Sequence, residues 1–358
     1  RIYKKYFRHR AVLTYCYTYV KKMQIKTGEF AEENRELQAC SFQNWYNNYE
    51  KITIPSKCIG IPKEVVDYLQ EDMIILPKEC PIANSSSCSG YDDEDTETVN
   101  IPEFPEFSKS ITDAIREFSG NVFIKTNWRS PKDAFWITAG QTLKVKDITD
   151  AYQLLKASSV IKSDLNNRDV PKCDDCFRSS NEYVLVIKEW QDIHPGTEFR
   201  CFVRERNLIA ISPRDWPNFN KYILGQRRDI VNDIVSLFKE HIKFKFPLSS
   251  FVFDVVRTSK DCVLLLDFSP FREEFTDPLA FTWDTLNDDS LKEVQDEDTP
   301  EFRYLSEDCG IQPNPRNNYG ISQDILEFFR DPNAFENVQN DLVDLFQVGV
   351  INFYINKT

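Results

Sequence analysis

The glycines of this chain are few and far apart, and their spacing limits the nucleotide sites that the sequence can form. The 358 residues include ten glycines, and no two of them lie closer than ten residues. Walker-type phosphate loops and dinucleotide-binding turns both need glycines about two to five residues apart. The sequence therefore excludes both classes, and a nucleotide site here has to form without a glycine-rich loop.

Charge, histidine content and cysteine content limit which partners, metal sites and disulfides the chain can have. The net charge is −13, and because residues 1–22 hold seven Lys/Arg and no acid, the remainder carries −20. Such a surface repels nucleic acid and anionic membranes, so we expect a protein or small-molecule partner, with no nucleic acid and no membrane. The three histidines, His9, His194 and His241, exclude an HExxH metalloprotease and argue against a histidine metal site. The ten cysteines are typical of reduced thiols in a chain of this length.

The first 22 residues imitate a targeting segment, because a basic stretch precedes ten mostly apolar residues. That apolar part contains tyrosines and threonines, and it ends in Lys21 and Lys22 without a small-residue cleavage site. We therefore expect Met23 to be the natural start, and residues 1–22 to be a non-native or disordered extension.

Apolar periodicity predicts helices and strands in two groups. Predicted helices cover residues 42–49, 62–71, 107–118 with Gly120 as a stop, 148–155, 221–241 and 322–330. Predicted strands cover 122–128, 133–138 and 183–187, followed by hairpins at 199–211 and 251–268. Polar or acidic loops are predicted at 83–103, 161–181 and 284–308. We interpret residues 23–160 as an N-terminal subdomain, 182–335 as a C-terminal subdomain and 336–358 as a tail.

Two aspartates within the second hairpin are the sharpest chemical signal. A symmetric turn sets Asp254 opposite residue 265, with Asp267 on the same face one diagonal away. Carboxylates among apolar residues need a cation or several donors. We expect the pair to share Mg²⁺, because oxygen ligands without histidine suit that ion. The alternative is that each carboxylate pairs with a core arginine such as Arg200 or Arg257.

Basic residues on neighbouring strands predict an anion site that faces these carboxylates. Strand alternation puts Lys125 and Asn127 on one face and Glu198 and Arg200 on another, while Lys188 ends the buried strand. These cations could form a phosphate clamp around a metal. They could equally line a solvated strand face.

Several long motifs, in order, resemble the cell division cycle protein 123 (D123) family from about residue 40 to 330. They occupy residues 101–107, 123–136, 186–190, 195–203, 251–254, 266–271 and 281–283. The resemblance implies an α+β, ATP-grasp fold, in which two subdomains with mainly antiparallel sheets and flanking helices hold Mg-ATP between them. It also implies a cytoplasmic assembly chaperone of eukaryotic translation initiation factor 2, which binds the gamma subunit and turns over little or no ATP.

Carried over by motif, the resemblance implies a nucleotide site and no catalytic residue. Its members are Lys125 and Lys188 facing the phosphates, Asn127, Trp128 and Trp190 lining the cleft, Arg200 and Asp215 contacting the nucleotide, and Asp254, Asp267 and Ser269 as metal ligands. The same motifs add Ser130, Lys132, Asp133 and Glu189 to the cofactor-binding positions.

Four positions depart from the family pattern, and they keep other functions open. Ser269 stands where the family has Asn, Arg272 where it usually has Gly, Pro213 where it usually has Gln, and Lys188 where it usually has Arg. Ser269 offers a weaker metal ligand, and Arg272 adds a cation at the mouth of the metal site. The alternatives are a scaffold with a decayed ATP site and a catalytic ATP-grasp ligase, which would need a second substrate pocket.

Overall fold

The structure of the protein is a computed structural model that describes residues 32–72, 75–81, 101–138, 140–166, 183–288 and 299–307. Several predicted features lie outside these ranges. They are the extension 1–22, the helix 322–330, the tail 336–358, and most of the loops 83–103 and 161–181. No helix among the described residues is long and apolar enough to cross a membrane.

A three-stranded antiparallel sheet in the order β1-β3-β2 organises the first part of the molecule. The strands are β1 (Ser56–Gly60), β2 (Val122–Lys125) and β3 (Val184–Glu189). The helices of this part are α3 (Lys63–Gln70), α4 (Pro105–Glu117), α5 (Ile148–Ala157) and α6 (Ser159–Asn166). Residues 184–187 of β3 are buried, as the continuous apolar run predicts, because elements cover both faces of the central strand.

A second sheet of five strands has the order β7-β6-β4-β5-β8. Its strands are β4 (Glu198–Arg204), β5 (Asn207–Pro213), β6 (Phe251–Ser259), β7 (Cys262–Pro270) and the short parallel β8 (Glu301–Phe302). The long helix α7 (Lys221–Leu237) covers one face, where a core rich in phenylalanine forms. Both predicted hairpins are therefore confirmed, and β7 is left at the edge of the sheet.

Two consecutive helices precede β1, and the second of them packs against the edge strand β7. They are a helix over residues 32–40, α1, and α2 (Phe42–Tyr49). The aromatic residues of α2 recur at helical spacing, so they share one buried face. The ring of Trp45 meets that of Phe268 edge-on, with centroids 5.2 Å apart. Apolar contact of the aromatic face thus holds α2 to the second sheet.

Three predicted elements are wrong in type or extent. Residues 132–137 form a 3₁₀ helix rather than a strand, because Pro131 starts a turn in which its carbonyl accepts from the Ala134 N–H. The strand from Val122 ends at Lys125, since Thr126 closes a turn with Arg129. The acidic region 284–308 is not all loop: it contains β8 and most of α8 (Trp283–Asn287).

The long predicted helix 221–241 also ends differently. The α-helical part stops at Leu237, and a π-helical turn covers Phe238–Ile242. The helix α4, by contrast, stops before Gly120 as predicted: Gly120 has a φ of +81°, which suits glycine, and its N–H donates to the Ile115 carbonyl at 2.8 Å.

Candidate nucleotide site

The hairpin β6–β7 sets Asp254 directly opposite Asp267. A symmetric turn predicts residue 265 opposite Asp254, and this predicted strand register is wrong. Thr258 and Leu266 each lack a cross-strand partner, so the hairpin contains two irregularities that a symmetric turn does not have. Leu265 instead pairs with Val255 on the α7 face of the sheet.

The bulge at Leu266 is what brings the two carboxylates to one face. Residues 265 and 267 of a regular strand point to the same side, and Leu265 faces the α7 core. The extra residue turns Asp267 to the opposite side, where Asp254 and Arg200 also lie. The prediction of a shared face is therefore correct, although its register is not.

Two guanidinium groups neutralise Asp254. Arg200, its neighbour on β4, donates from Nε to Oδ1 at 2.8 Å and from Nη2 to Oδ2 at 2.9 Å. Nη1 of Arg214 lies 3.2 Å from Oδ2. Burial alone would raise the pKa of Asp254, but Arg200 and then Arg214 outweigh it and hold the pKa well below its usual range. Asp254 is therefore ionised at neutral pH.

Two buried lysines of the three-stranded sheet reach across to β7. Nζ of Lys125 forms an ion pair with Oδ2 of Asp267, and Nζ of Lys188 donates to the Leu266 carbonyl at 2.9 Å. Both ammonium groups lie over the ring of Phe42, at 5.5 Å and 5.0 Å from its centroid. Burial, only partly offset by Asp267, lowers the pKa of Lys188 to about 8.

Lys132 completes a cluster with an excess of positive charge. Its pKa is lowered to about 8 by desolvation and by Arg214, although Glu198 and Asp254 oppose this shift. The cluster consists of five cations, Lys125, Lys132, Lys188, Arg200 and Arg214, and three carboxylates, Glu198, Asp254 and Asp267. A net positive, partly desolvated group of this kind favours a bound polyanion.

Sequence reasoning missed Arg214 and Phe42 as members of this cluster. Arg214 directly follows strand β5, and a basic residue at the end of a strand beside Arg200 is a weak signal that was available. Phe42 belongs to a predicted aromatic helix, whose periodicity indicates burial but not which groups the rings meet.

Three other predicted site residues have structural contacts. Asn127 accepts from the backbone N–H of Gln43 at 3.2 Å and, through its carbonyl, from that of Phe42 at 3.1 Å, at the start of α2. The indole of Trp128 donates to the Leu37 carbonyl at 3.3 Å. Asp133 accepts from the Ser158 hydroxyl at 2.6 Å and from the Val160 N–H at 3.2 Å, at the start of α6.

The remaining predicted residues have more local surroundings. Trp190 donates to Asp192 at 2.8 Å and lies under the Lys144 ammonium. Asp215 accepts from Asn218 at 2.7 Å. Glu189 accepts from Gln191 at 3.2 Å, Ser130 accepts through its carbonyl from the Lys132 N–H at 2.8 Å, and Ser269 pairs with Val252 on the face that carries Asp267.

The predicted metal ligands are two carboxylates and a hydroxyl on one face of the hairpin, which is a donor set that suits Mg²⁺. Among the described residues no three His, Cys, Asp or Glu side chains converge as a metal site. Asp254 pairs with Arg200, as the alternative interpretation had it, whereas Arg257 pairs with Asp233 at 2.6 Å. The oxygen ligands therefore fit Mg²⁺. In this structure both carboxylates form ion pairs with basic side chains.

Comparison with known proteins gives a consistent result. The D123 family model matches residues 45–329. A Xenopus tropicalis protein named "Translation initiation factor eIF2 assembly protein" is 38% identical over 313 residues, covering 82% of this chain and 92% of that protein. The Yarrowia lipolytica "Cell division cycle protein 123" is 37% identical over 260 residues, covering 70% and 67%.

The solved structure of Cdc123 from Schizosaccharomyces pombe is 33% identical. It aligns with a TM-score of 0.60 and covers 76% of this chain and 98% of its own. The predicted α+β class, with two mainly antiparallel sheets and flanking helices, is confirmed. The chain belongs to the D123 family.

Proposed function

We propose that this chain is an ATP-binding assembly factor for eukaryotic translation initiation factor 2. Relatives that it matches along most of their length bear the name of an eIF2 assembly protein. The observation that carries nucleotide binding is the cluster of five cations and three carboxylates, which joins the edge strand β7 to the three-stranded sheet. A nucleoside triphosphate is a polyanion of suitable size for such a group.

Each part of the cluster has a role in this proposal. Lys125, Lys188 and Lys132 would bind phosphate oxygens as point charges. Arg200 would hold Asp254 and offer the N–H groups that its bonds to Asp254 and to the Asp277 carbonyl leave. Asp254, Asp267 and Ser269 would hold Mg²⁺, which would neutralise phosphate charge. The flanking positions Asn127, Trp128, Ser130, Asp133, Glu189, Trp190 and Asp215 would shape the cleft.

Two subdomains would act as one binding-competent body. The borders predicted from the sequence are residues 23–160 and 182–335, but β3 pairs with β1 and β2 and so belongs to the first sheet. The cluster would lie between the two sheets. Nucleotide would bridge the two sheets and stabilise the shape that binds the gamma subunit, so binding rather than reaction would drive assembly. We further propose that ATP turnover is slow or absent and that the protein acts in the cytoplasm.

A scaffold with a decayed ATP site is the second candidate, and one observation favours it. Both carboxylates among the candidate metal ligands are already neutralised by basic side chains, Asp254 by Arg200 and Arg214, and Asp267 by Lys125. If these ion pairs stay closed in solution, neither Mg²⁺ nor ATP gains access, and the charge pairs serve stability alone.

Calorimetric titration with ATP, with and without Mg²⁺, separates the candidates. We expect saturable binding that depends on Mg²⁺ and is lost in Lys125→Met, while Lys57→Met, a change at an exposed position on β1, leaves it unchanged. Capture of the purified gamma subunit, with and without Mg-ATP, tests the partner. Gamma capture without any nucleotide binding supports the scaffold, and partner-stimulated phosphate release at about 1 per second or faster supports a ligase.

A further inference from the structure

Four charged groups of the cluster are almost fully buried, whereas Asp267 and Arg214 keep 21% and 24% of their side-chain surface exposed. A ligand therefore reaches the four buried groups only after part of the molecule moves. The side chains of Lys125, Lys188, Arg200 and Asp254 belong to residues that are at most 9% exposed. Their charges are met by contacts within the cluster. A polyanion therefore has to displace a covering element before it can replace these contacts.

Residues 36–42, which we name the strap, cover the lysine side of the cluster. They comprise the end of α1 and the first residue of α2. The ring of Phe42 lies beneath both lysine ammonium groups. Cys40 is fully buried, and its pKa is raised by burial and then by the nearby carboxylates of Asp267 and Glu36. The strap thus lies against the same carboxylate that pairs with Lys125.

An ion pair joins the strap to the segment that follows β7. Nε of Arg272 donates to Oε2 of Glu36, and the side chains are 33% and 20% exposed, so water reaches the pair. Further polar contacts of the strap are those of Leu37 with Trp128 and of Phe42 with Asn127. The Arg272 end of the ion pair lies three residues beyond Ser269 in sequence.

We propose that the strap gates the cluster and that the Glu36–Arg272 ion pair is the latch that keeps it shut until nucleotide enters. The identity of the ligand, a nucleoside triphosphate with Mg²⁺, rests on the proposed function. A partly exposed ion pair suits a latch, because it stabilises the closed form only modestly. A ligand that binds the open form gains apparent affinity and association rate in proportion to the open fraction.

Cys40 reports the position of the strap without any nucleotide. The full chain is treated with iodoacetamide, and the alkylation rate of each cysteine is followed by mass spectrometry. We expect Glu36→Gln to raise the rate at Cys40 about two- to fivefold. Arg272→Glu should raise it further, and the charge swap Glu36→Arg with Arg272→Glu should return it toward the wild-type value.

Two buried cysteines outside the strap, Cys80 and Cys201, are internal controls for global unfolding. Their alkylation rates should stay constant across the series. The latch is overturned if Cys40 keeps its wild-type rate in both single variants, or if Cys40 and Cys201 accelerate together.

Rapid mixing with a fluorescent ATP analogue and Mg²⁺ tests gating itself. Glu36→Gln should raise the association rate constant by the same factor as the alkylation rate, and the charge swap should reverse it. Glu117→Gln is the matched control, since it breaks the surface ion pair with Lys57, 2.9 Å long, between α4 and β1. Wild-type association rates in both single variants overturn gating.

The two readouts separate the latch from the proposed function. If the wild-type protein binds no nucleotide while the Cys40 series behaves as expected, ATP binding is wrong and the latch stands. If nucleotide binds and Cys40 does not respond to either single variant, the proposed function stands and the latch is wrong.

Discussion

Asp254 accepts two hydrogen bonds from Arg200 within the five-stranded sheet and contacts Arg214 with the same carboxylate. Removing one member of a buried charge pair leaves the other uncompensated, at a cost of about 3 kcal/mol. We expect Asp254→Ala to lower the free energy of unfolding by about that amount, measured by urea denaturation. Asp215→Ala, at a partly exposed acid, is the control and should change little. A wild-type value for Asp254→Ala would show that Arg200 finds another partner.

Because the pKa of Asp254 is lowered in the folded protein, its contribution to the free energy of unfolding depends on pH. A carboxyl whose pKa is lower in the folded state stabilises the fold above its unfolded pKa of about 4, and the contribution is lost as pH falls toward the folded value. The acid limb of the stability curve should therefore be less steep in Asp254→Ala than in the wild type.

The lowered pKa values of Lys132 and Lys188 predict that the protein takes up protons when Mg-ATP binds. Both have a pKa of about 8, so about half of each population is neutral at pH 8. Phosphate favours the ammonium form, so binding at pH 8 should take up a proton, with the total reaching at most about one. At pH 6.5 both lysines are already charged, and the uptake should vanish.

Calorimetry in two buffers of different ionisation enthalpy, such as HEPES and Tris, measures this uptake. The binding enthalpy at pH 8 should differ between the buffers, and Lys132→Met should reduce that difference. Identical enthalpies in both buffers at pH 8 would mean that neither lysine meets the phosphates.

At the scale of elements, Asp133 connects the 3₁₀ helix Lys132–Ile137 to the start of α6 through Ser158 and Val160. Capping contacts of this kind contribute about 1 kcal/mol. We expect Asp133→Ala to lower the free energy of unfolding by about that amount, measured by urea denaturation. Asp113→Ala on the exposed side of α4 is a suitable control. Unchanged stability would leave nucleotide contact as the better explanation for Asp133.

The same helix shows where local patterns stop being informative. Residues 133–138 contain a short apolar run that is compatible with a strand, but Pro131 and the Asp133 contacts favour a 3₁₀ turn. The hairpin strands, in contrast, were predictable because paired runs of apolar and β-branched residues flank short polar turns. The bulges in these strands could not be predicted, because packing on both faces of the sheet decides where an extra residue is accommodated.

At the scale of the whole molecule, β7 joins the two sheets. Oγ1 of Thr53 donates to the Leu265 carbonyl at 2.6 Å, Lys188 donates to the next carbonyl, and Lys125 pairs with Asp267. A nucleotide bound among these groups would add further bridges. Ligand that binds only the folded state stabilises it by about 2.7 kcal/mol at one hundred times its Kd.

We therefore expect saturating Mg-ATP to raise the Tm by several degrees in a calorimetric scan, about 2–4 °C per kcal/mol for a domain of 150–250 residues. Lys125→Met should abolish the rise, whereas Lys57→Met should retain it. A rise that persists in Lys125→Met would locate the nucleotide elsewhere.

The sequence by itself determined the α+β class, the absence of a glycine-rich phosphate loop, and most members of the charged cluster. These features are local: apolar period, glycine spacing and charged residues within strands are properties of neighbouring residues. The family motifs added named positions for a nucleotide and its metal, and the role of these positions in nucleotide binding remains a proposal.

Only the tertiary structure decided which charges meet. Lys125 reaches Asp267 across 142 positions, and Glu36 reaches Arg272 across 236. The bulge at Leu266 sets the face of Asp267, and Phe42 of α2 lies beneath two lysines of the three-stranded sheet. Such pairings follow from the packing of whole elements against one another, because each buried charge needs a partner and the fold determines which partners are within reach.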